Sequence, residues 1–194
     1  MAKNAIRRMI KIQEGCDQIC SYCIVPKVRG RERSIPIEKL VCDVNGAYSQ
    51  GAKEVVLTGT QLGSYGFDLY DSSLSKMVDT LLDQTDIERI RVSSIQPQEF
   101  NSDLLKLWNN VRLCPHFHIP LQSGSNKILK NMRRRYTREE FVAAIDRVRA
   151  SVPNAAITTD VIVGYPSETD HDFHLTMELC DRVKFCLLYT SDAA

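Results

Sequence analysis

The sequence predicts an α/β fold: a curled, partial parallel (β/α) barrel in which about five strands alternate with helices. Three observations lead there. Short β-branched apolar runs alternate with longer stretches of helical period, the order of consecutive βαβ units. The Glu54–Gly59 run is apolar and β-branched and ends at glycine, as strands covered on both faces do. Every polar motif of unusual composition follows a strand, at the rim where parallel sheets bind ligands.

The first strand is the alternating run Met9-Ile10-Lys11-Ile12-Gln13, and it leads into a loop, Gly15 to Cys23. Ser34-Ile35-Pro36-Ile37-Glu38 reads as a helix start with Ser34 as N-cap and Pro36 in the first turn. Leu40, Val41, Val44, Ala47 and Tyr48 then recur at helical spacing until Gln50-Gly51. The second strand is Glu54 to Gly59, followed by a glycine- and tyrosine-containing loop to Leu69. Ser73 to Leu82 reads as helix, Arg89 to Ile95 as strand, Ser102 to Asn110 as helix and His116 to Pro120 as strand. Asn126 to Arg133 and Thr137 to Arg149 are two further helices. The second opens with a capping box, Thr137-Arg138-Glu139-Glu140. Ala156 to Gly164 is the fifth strand and Thr169 to Arg182 the last helix.

The loop Gly15-Cys16-Asp17-Gln18-Ile19-Cys20-Ser21-Tyr22-Cys23 spaces three cysteines as Cys-x₃-Cys-x₂-Cys. Three thiolates on one short loop suit iron–sulfur chemistry, and three ligands for four irons leave one iron open to another molecule. Structural zinc takes four protein ligands. The next cysteine is Cys42 and the first histidine His116, too distant for finger spacing. The other rim motifs are Thr58-Gly59-Thr60-Gln61, Ser93-Ser94-Ile95-Gln96-Pro97, Pro120-Leu121-Gln122-Ser123-Gly124-Ser125 and Gly164-Tyr165-Pro166-Ser167-Glu168.

Composition bounds the rest. The chain has 194 residues, 43% of them hydrophobic, which suits one domain with a real core. It has no apolar run of about 18 residues and no signal-peptide pattern, so a cytoplasmic location without membrane contact is expected. Seven cysteines, an odd number, argue for reduced thiols rather than a disulfide framework. A net charge of +1 gives no global attraction to nucleic acid. Two local basic runs, Lys27 to Arg33 with Arg29 and Arg33, and Arg133-Arg134-Arg135, are candidate phosphate contacts or solvated faces. Cys42, Cys114 and Cys180 are expected in the core, and Trp108 in packing. Glu168 either caps the following helix or meets substrate. His116 and His118 are read as facing opposite sides of their strand.

With these residues in place, the chain resembles a radical S-adenosylmethionine (radical SAM) methylthiotransferase. The resemblance rests on Gly15-Cys16 through Pro26, Arg29-Gly30 with Arg33-Ser34, Thr58-Gly59 with Gly63 and Tyr65-Gly66, and Ser93-Ser94-Ile95. It extends through His118 to Ser125, Met132-Arg133-Arg134 with Tyr136-Thr137, and Asp160 to Gly164 with Pro166 and Glu168. It covers roughly residues 9 to 185. The segments Thr58 to Leu69, Val92 to Ile95 and Arg133 to Thr137 look most like the branch acting on threonylcarbamoyladenosine in transfer RNA. Sister branches act on isopentenyladenosine and on a ribosomal-protein aspartate.

The resemblance implies a 4Fe-4S cluster on Cys16, Cys20 and Cys23, with S-adenosylmethionine chelated to the fourth iron and cleaved by one electron to a 5′-deoxyadenosyl radical. It implies Tyr22, Ile162 and Gly164 around adenine, Gly59 near the methionyl amine, and Ser94 and Gln122 as hydrogen-bonding partners. Arg29, Arg33, Arg133 and Arg134 become candidate RNA contacts. A transfer RNA substrate and an electron donor of the flavodoxin or ferredoxin kind follow as partners, and a monomer is expected. Family members carry a second 4Fe-4S cluster in an N-terminal domain and a C-terminal RNA-binding β-domain. Residues 1–185 are therefore expected to be the radical SAM core alone, one strand short of six, and residues 186–194 to fall outside the pattern. A non-enzymatic iron–sulfur or zinc protein is the alternative of another class.

Overall fold

The computed structural model describes residues 6–192. In chain order the elements are β1 (Arg7–Lys11), β2 (Gln13–Glu14), α1 (Val25–Arg29), β3 (Arg33–Ser34), α2 (Ile37–Ser49), β4 (Glu54–Thr58), α3 (Leu74–Gln84) and β5 (Arg89–Val92). They continue with α4 (Ser102–Lys106), β6 (His116–His118), α5 (Asn126–Asn131), α6 (Arg138–Ser151), β7 (Ala156–Val163), α7 (Asp170–Val183) and β8 (Leu187–Asp192).

Two parallel three-stranded ladders, β1-β4-β5 and β6-β7-β8, form the sheet. Single bridges from Ile90 to Leu113 and from Ser94 to His118 join them edge to edge. All six strands run the same way, and among the described residues β1 and β8 are not paired, so the sheet stays open. The sixth strand corrects the sequence reading. Leu187–Asp192 pairs with β7 from Thr158↔Leu187 to Val163↔Asp192, so these residues add a sixth strand to the five expected. Main-chain pairing asks only for an extended backbone, and a segment can supply that without matching a side-chain motif.

Alternate residues of each strand face the helices. Val55 and Leu57, Ile90 and Val92, Phe117, and Ile157 and Val161 are buried there in one core with Leu40, Met77, Leu81, Phe141, Ile145 and Leu179. The other face carries Glu54, Arg89, Arg91, His116, His118, Thr158 and Asp160. His116 and His118 are two residues apart, so the pleat puts them on the same face, contrary to the sequence reading. Thr158 Oγ1 reaches both, at 3.3 Å from His116 Nε2 and 3.0 Å from His118 Nδ1. Glu54 accepts from Arg7 (2.9 Å), Arg91 (3.1 Å) and Arg89 (3.3 Å). Burial alone would raise its pKa, but the guanidiniums, Arg91 foremost, outweigh burial and hold the carboxyl below its usual range.

Helix starts follow side-chain oxygens. Ser73 accepts from Lys76 N (3.1 Å), Asn101 from Leu104 N (2.8 Å), and Thr137 and Thr169 each form full capping boxes. Ser34 does not cap α2. It lies in β3, its hydroxyl accepting from Gly66 N (2.9 Å), while extended Pro36 takes the N-cap position. The helix expected over 102–110 is α-helical to Lys106 and a 3₁₀ turn over Leu107–Asn109. Trp108 packs on Phe117 at 4.6 Å and donates to Cys114 O, as expected of a packing residue. Cys114 is buried and Cys180 half-buried, but Cys42 is exposed on α2, against the expectation.

Candidate active site

The three-cysteine loop leaves β2 and returns to the antiparallel β2–β3 pair, so both its ends are held. Gly15 adopts φ +78°, and a Cβ there would lie 2.0 Å from Arg31 O, so only glycine brings the two ends this close. Gln13 ties the base of the loop to the next rim segment. Its Nε2 donates to Gly15 O (2.9 Å), and its Oε1 accepts from Thr60 N (3.0 Å) and Gln61 N (2.9 Å). Gly59 lies beside it, where a Cβ would crowd Gln13 O at 3.0 Å. Close packing on the cysteine-bearing segment thus already requires a small residue at Gly59.

The tip of the loop is fastened to the opposite side of the rim. Ser21 N donates to Met132 O (3.1 Å), and Ser21 Oγ donates to Asn131 O (2.9 Å) and lies 2.7 Å from Tyr165 Oη. Arg134 Nη1 approaches Cys20 Sγ at 3.4 Å and Tyr22 Oη at 3.5 Å, while its Nε donates to Tyr136 Oη (3.2 Å). Arg134 was a candidate RNA contact. In the structure it is half-buried beside Cys20 and Tyr22.

Cys16, Cys20 and Cys23 are free and half-buried. Burial pushes the Cys16 thiol up; Gln18 N–H opposes this, and the charges of Glu32, Cys20 and Cys23 add to it. Tyr22 leaves 40% of its surface exposed, yet burial around its hydroxyl pushes its pKa up to about 12 against the pull of Arg134. The donor set fits an iron–sulfur cluster: three unpaired soft ligands on one anchored loop, with a guanidinium beside one sulfur to offset thiolate charge. Among the described residues no three His, Cys, Asp or Glu side chains converge to hold a metal ion.

The other expected residues spread along the same rim. Ser94 is exposed and bridges to His118. Gln122 is 8% exposed at φ +65°, and its backbone pairs with Asp160 O and Ile162 N, so it fixes the end of β7 through its main chain. Ile162 is half-buried on β7. Gly164 follows at φ +72°, its N–H held by Glu168 Oε2 at 2.7 Å. Glu168 therefore clamps the rim loop, and the cap of α7 is Thr169. Arg29 and Arg33 are exposed near the cysteine loop, Arg29 reaching Glu14 at 3.5 Å, and Arg133 is exposed after α5. Sequence reading passed over Gln13, Ser21 and Tyr165 as anchors. The only available signal was their place beside or inside the rim motifs.

An open six-stranded parallel sheet with a three-cysteine loop at its C-terminal rim defines a class, the S-adenosylmethionine-dependent radical enzymes. The Radical SAM superfamily model matches residues 10–180, and the chain belongs to this superfamily. It is 42% identical over 187 residues to the tRNA-2-methylthio-N(6)-dimethylallyladenosine synthase of Thermoanaerobacter sp. (strain X514), covering 95% of this chain and 40% of that one. It is 43% identical over 185 residues to the threonylcarbamoyladenosine tRNA methylthiotransferase MtaB of Chlamydia pneumoniae, covering 95% and 44%. The chain thus spans about two-fifths of the length of these relatives. Among solved structures it is similar to the radical SAM methyltransferase TsrM of Kitasatospora setae (TM-score 0.76, 15% identity, 95% of this chain and 36% of that one). It is also similar to coproporphyrinogen III oxidase HemN of Escherichia coli (TM-score 0.66, 14% identity, 97% and 43%). At such identities the likeness is one of fold. No helix among the described residues is long and apolar enough to cross a membrane.

Proposed function

We propose that this chain is the radical-generating core of a transfer RNA methylthiotransferase acting on threonylcarbamoyladenosine. The observation that carries the reading is the anchoring of the Cys16–Cys20–Cys23 loop to both sides of one rim, through Gln13 and Gly59 on one side and Ser21, Tyr165 and Arg134 on the other. A 4Fe-4S cluster with S-adenosylmethionine on its open iron supplies reductive cleavage of a sulfonium carbon–sulfur bond. In this chain Cys16, Cys20 and Cys23 would hold the cluster, and Arg134 would offset negative charge beside Cys20. Tyr22, Ile162 and the Gly164 turn clamped by Glu168 would bound the adenosyl group, with Ser94 at the mouth.

Support for the threonylcarbamoyl branch comes from the Thr58–Leu69, Val92–Ile95 and Arg133–Thr137 segments and from the 43% identity to the Chlamydia relative. The comparable identity to dimethylallyladenosine synthases favours the sister branch as the second reading. Grafting residues 9–185 into the matching span of a full-length relative from each branch separates them. In cells lacking their own enzymes, transfer RNA nucleosides are expected to carry the methylthio group on threonylcarbamoyladenosine in both hosts. Product that follows the host, or appears only on dimethylallyladenosine, removes the branch assignment. No product in either host removes the methylthiotransferase reading.

A further inference from the structure

Charge is spread unevenly along this chain. The net charge is +1, yet residues 104 to 138 carry eight Lys or Arg and no Asp or Glu. Six of the eight lie between Lys127 and Arg138, on α5 or on the turn that joins it to α6. Two of these six have carboxylate partners on α7, Lys127 with Asp172 (2.8 Å) and Arg138 with Glu178 (3.4 Å), and Arg134 lies beside Cys20 and Tyr22. The remaining three, Lys130, Arg133 and Arg135, are exposed and make no ion pair among the described residues. The carboxylates that follow in the chain are already engaged: Glu139 accepts from Asn126 Nδ2 (2.9 Å) and Glu140 from Thr137 N (2.7 Å). Arg135 acts on half-buried Glu99 only through space, too weakly to offset the burial that pushes that carboxyl up. The other basic run differs, because Arg29 faces Glu14 (3.5 Å) and Arg31 faces Asp17 (3.1 Å).

Arg133 is also held in a conformation that arginine does not favour. It closes α5 at φ +58°, its N–H donating to Lys130 O (3.0 Å) and the next N–H to Leu129 O (2.9 Å). Glycine usually takes this left-handed position after a helix, because it lacks the Cβ that crowds there. The Arg133 side chain makes no hydrogen bond among the described residues to offset that strain, and a strained residue with its charge unspent points to a partner outside the chain. Lys130 and Arg135 line one cleft of about 440 Å³ with Asn126 and Thr137. The cysteine loop docks on the same turn, Ser21 N donating to Met132 O (3.1 Å) and Ser21 Oγ to Asn131 O (2.9 Å), so the three cations stand at the edge of the active-site rim. Unpaired cations on one turn suit a run of phosphates, which fix position without reading sequence.

We infer that Lys130, Arg133 and Arg135 form a surface that grips the phosphate backbone of an RNA substrate beside the rim. The inference rests on the proposed function, which supplies RNA as the partner. It sets Arg29 and Arg134 aside, since each already has a partner in the chain, and brings in Lys130 and Arg135.

The test measures binding of the 194-residue chain to two RNA hairpins of equal length and unrelated loop sequence at several salt concentrations. Each phosphate contact adds about 0.7–0.9 to the steepness of log affinity against log salt. Lys130→Gln, Arg133→Gly and Arg135→Gln are each expected to lower that steepness by about this amount and to weaken both hairpins alike. Arg31→Gln, which removes an exposed arginine that has a carboxylate partner, is expected to leave it unchanged. Arg133→Gly is further expected to unfold at higher urea than the unaltered chain while binding RNA more weakly, since glycine relieves the strain. Weaker binding in a more stable variant cannot come from loss of fold. Salt dependence unchanged in the three variants, hairpins weakened unequally, or a lower urea midpoint for Arg133→Gly overturns the surface. Methylthio nucleosides formed by the grafted core while the salt dependence stays unchanged remove the surface and leave the proposed function standing. Salt dependence that falls as expected without methylthio nucleosides does the reverse.

Discussion

At Gly15 a single missing methyl group decides whether the cysteine loop closes. Gly15 and Gly30 share left-handed φ values, +78° and +71°, but a Cβ on Gly15 would meet Arg31 O at 2.0 Å, whereas one on Gly30 would meet nothing within 4 Å. A side chain at positive φ costs about 1–3 kcal/mol of backbone strain at either position, and only Gly15 adds a clash with main chain. Gly15→Ala is therefore expected to lower bound iron per chain severalfold after anaerobic reconstitution, and Gly30→Ala to leave it near that of the unaltered chain. Equal iron in the two variants would show that the clash is relieved without disturbing the loop. Residue types at this scale were partly legible. Cys16, Cys20 and Cys23 announce themselves by spacing, because a short loop fixes which side chains can share a ligand. Arg134 does not, because its role depends on a partner 114 positions away, and in sequence it is one of three consecutive arginines.

Between elements, the starts of α5 and α7 are tied by one carboxylate. Asp172 side chain, 5% exposed, accepts from Lys127 Nζ (2.8 Å), Ser125 Oγ (2.7 Å) and Thr169 Oγ1 (2.7 Å), joining the N-cap of α5 to the capping box of α7. These bonds, that of Lys127 first, hold its carboxyl well below the usual range. A depressed folded pKa gives stability that is complete above the unfolded value, about 3.9, and is lost as pH falls toward the folded value. Asp172→Asn should accordingly be less stable than the unaltered chain in urea at about pH 7, with the gap narrowing steadily below about pH 4. A gap constant down to about pH 3 would mean that the charge on Asp172 contributes nothing. The capping box of α6 was readable because both partners, Thr137 and Glu140, lie within four residues. The network joining α5 to α7 was not, and neither was β8, whose Leu187-Leu188-Tyr189-Thr190 run shows its role only when paired with β7. Ser34 misled because Ser before Pro is a good helix start by local rules, while its hydroxyl and N–H are taken by Gly66 and Asp68.

For the molecule as a whole, one polarity organises everything: six parallel strands direct their C-terminal ends, and the loops that follow them, to a single rim. The alternation of strand and helix made that rim visible in the sequence, since helical period and β-branched runs are local properties. Which residues brace the rim, and what lines the concave face, depend on pairings between distant strands that no local pattern encodes. The account stands on the rim being a place where three cysteines hold a cluster that reduces S-adenosylmethionine. The most direct measurement is 5′-deoxyadenosine formed by the chain after anaerobic reconstitution with iron and sulfide, chemical reduction and addition of S-adenosylmethionine. The unaltered chain is predicted to form it, and Cys16→Ala, Cys20→Ala and Cys23→Ala are each predicted to form none. Iron binding without 5′-deoxyadenosine in excess S-adenosylmethionine, or undiminished product from any of the three variants, would contradict it.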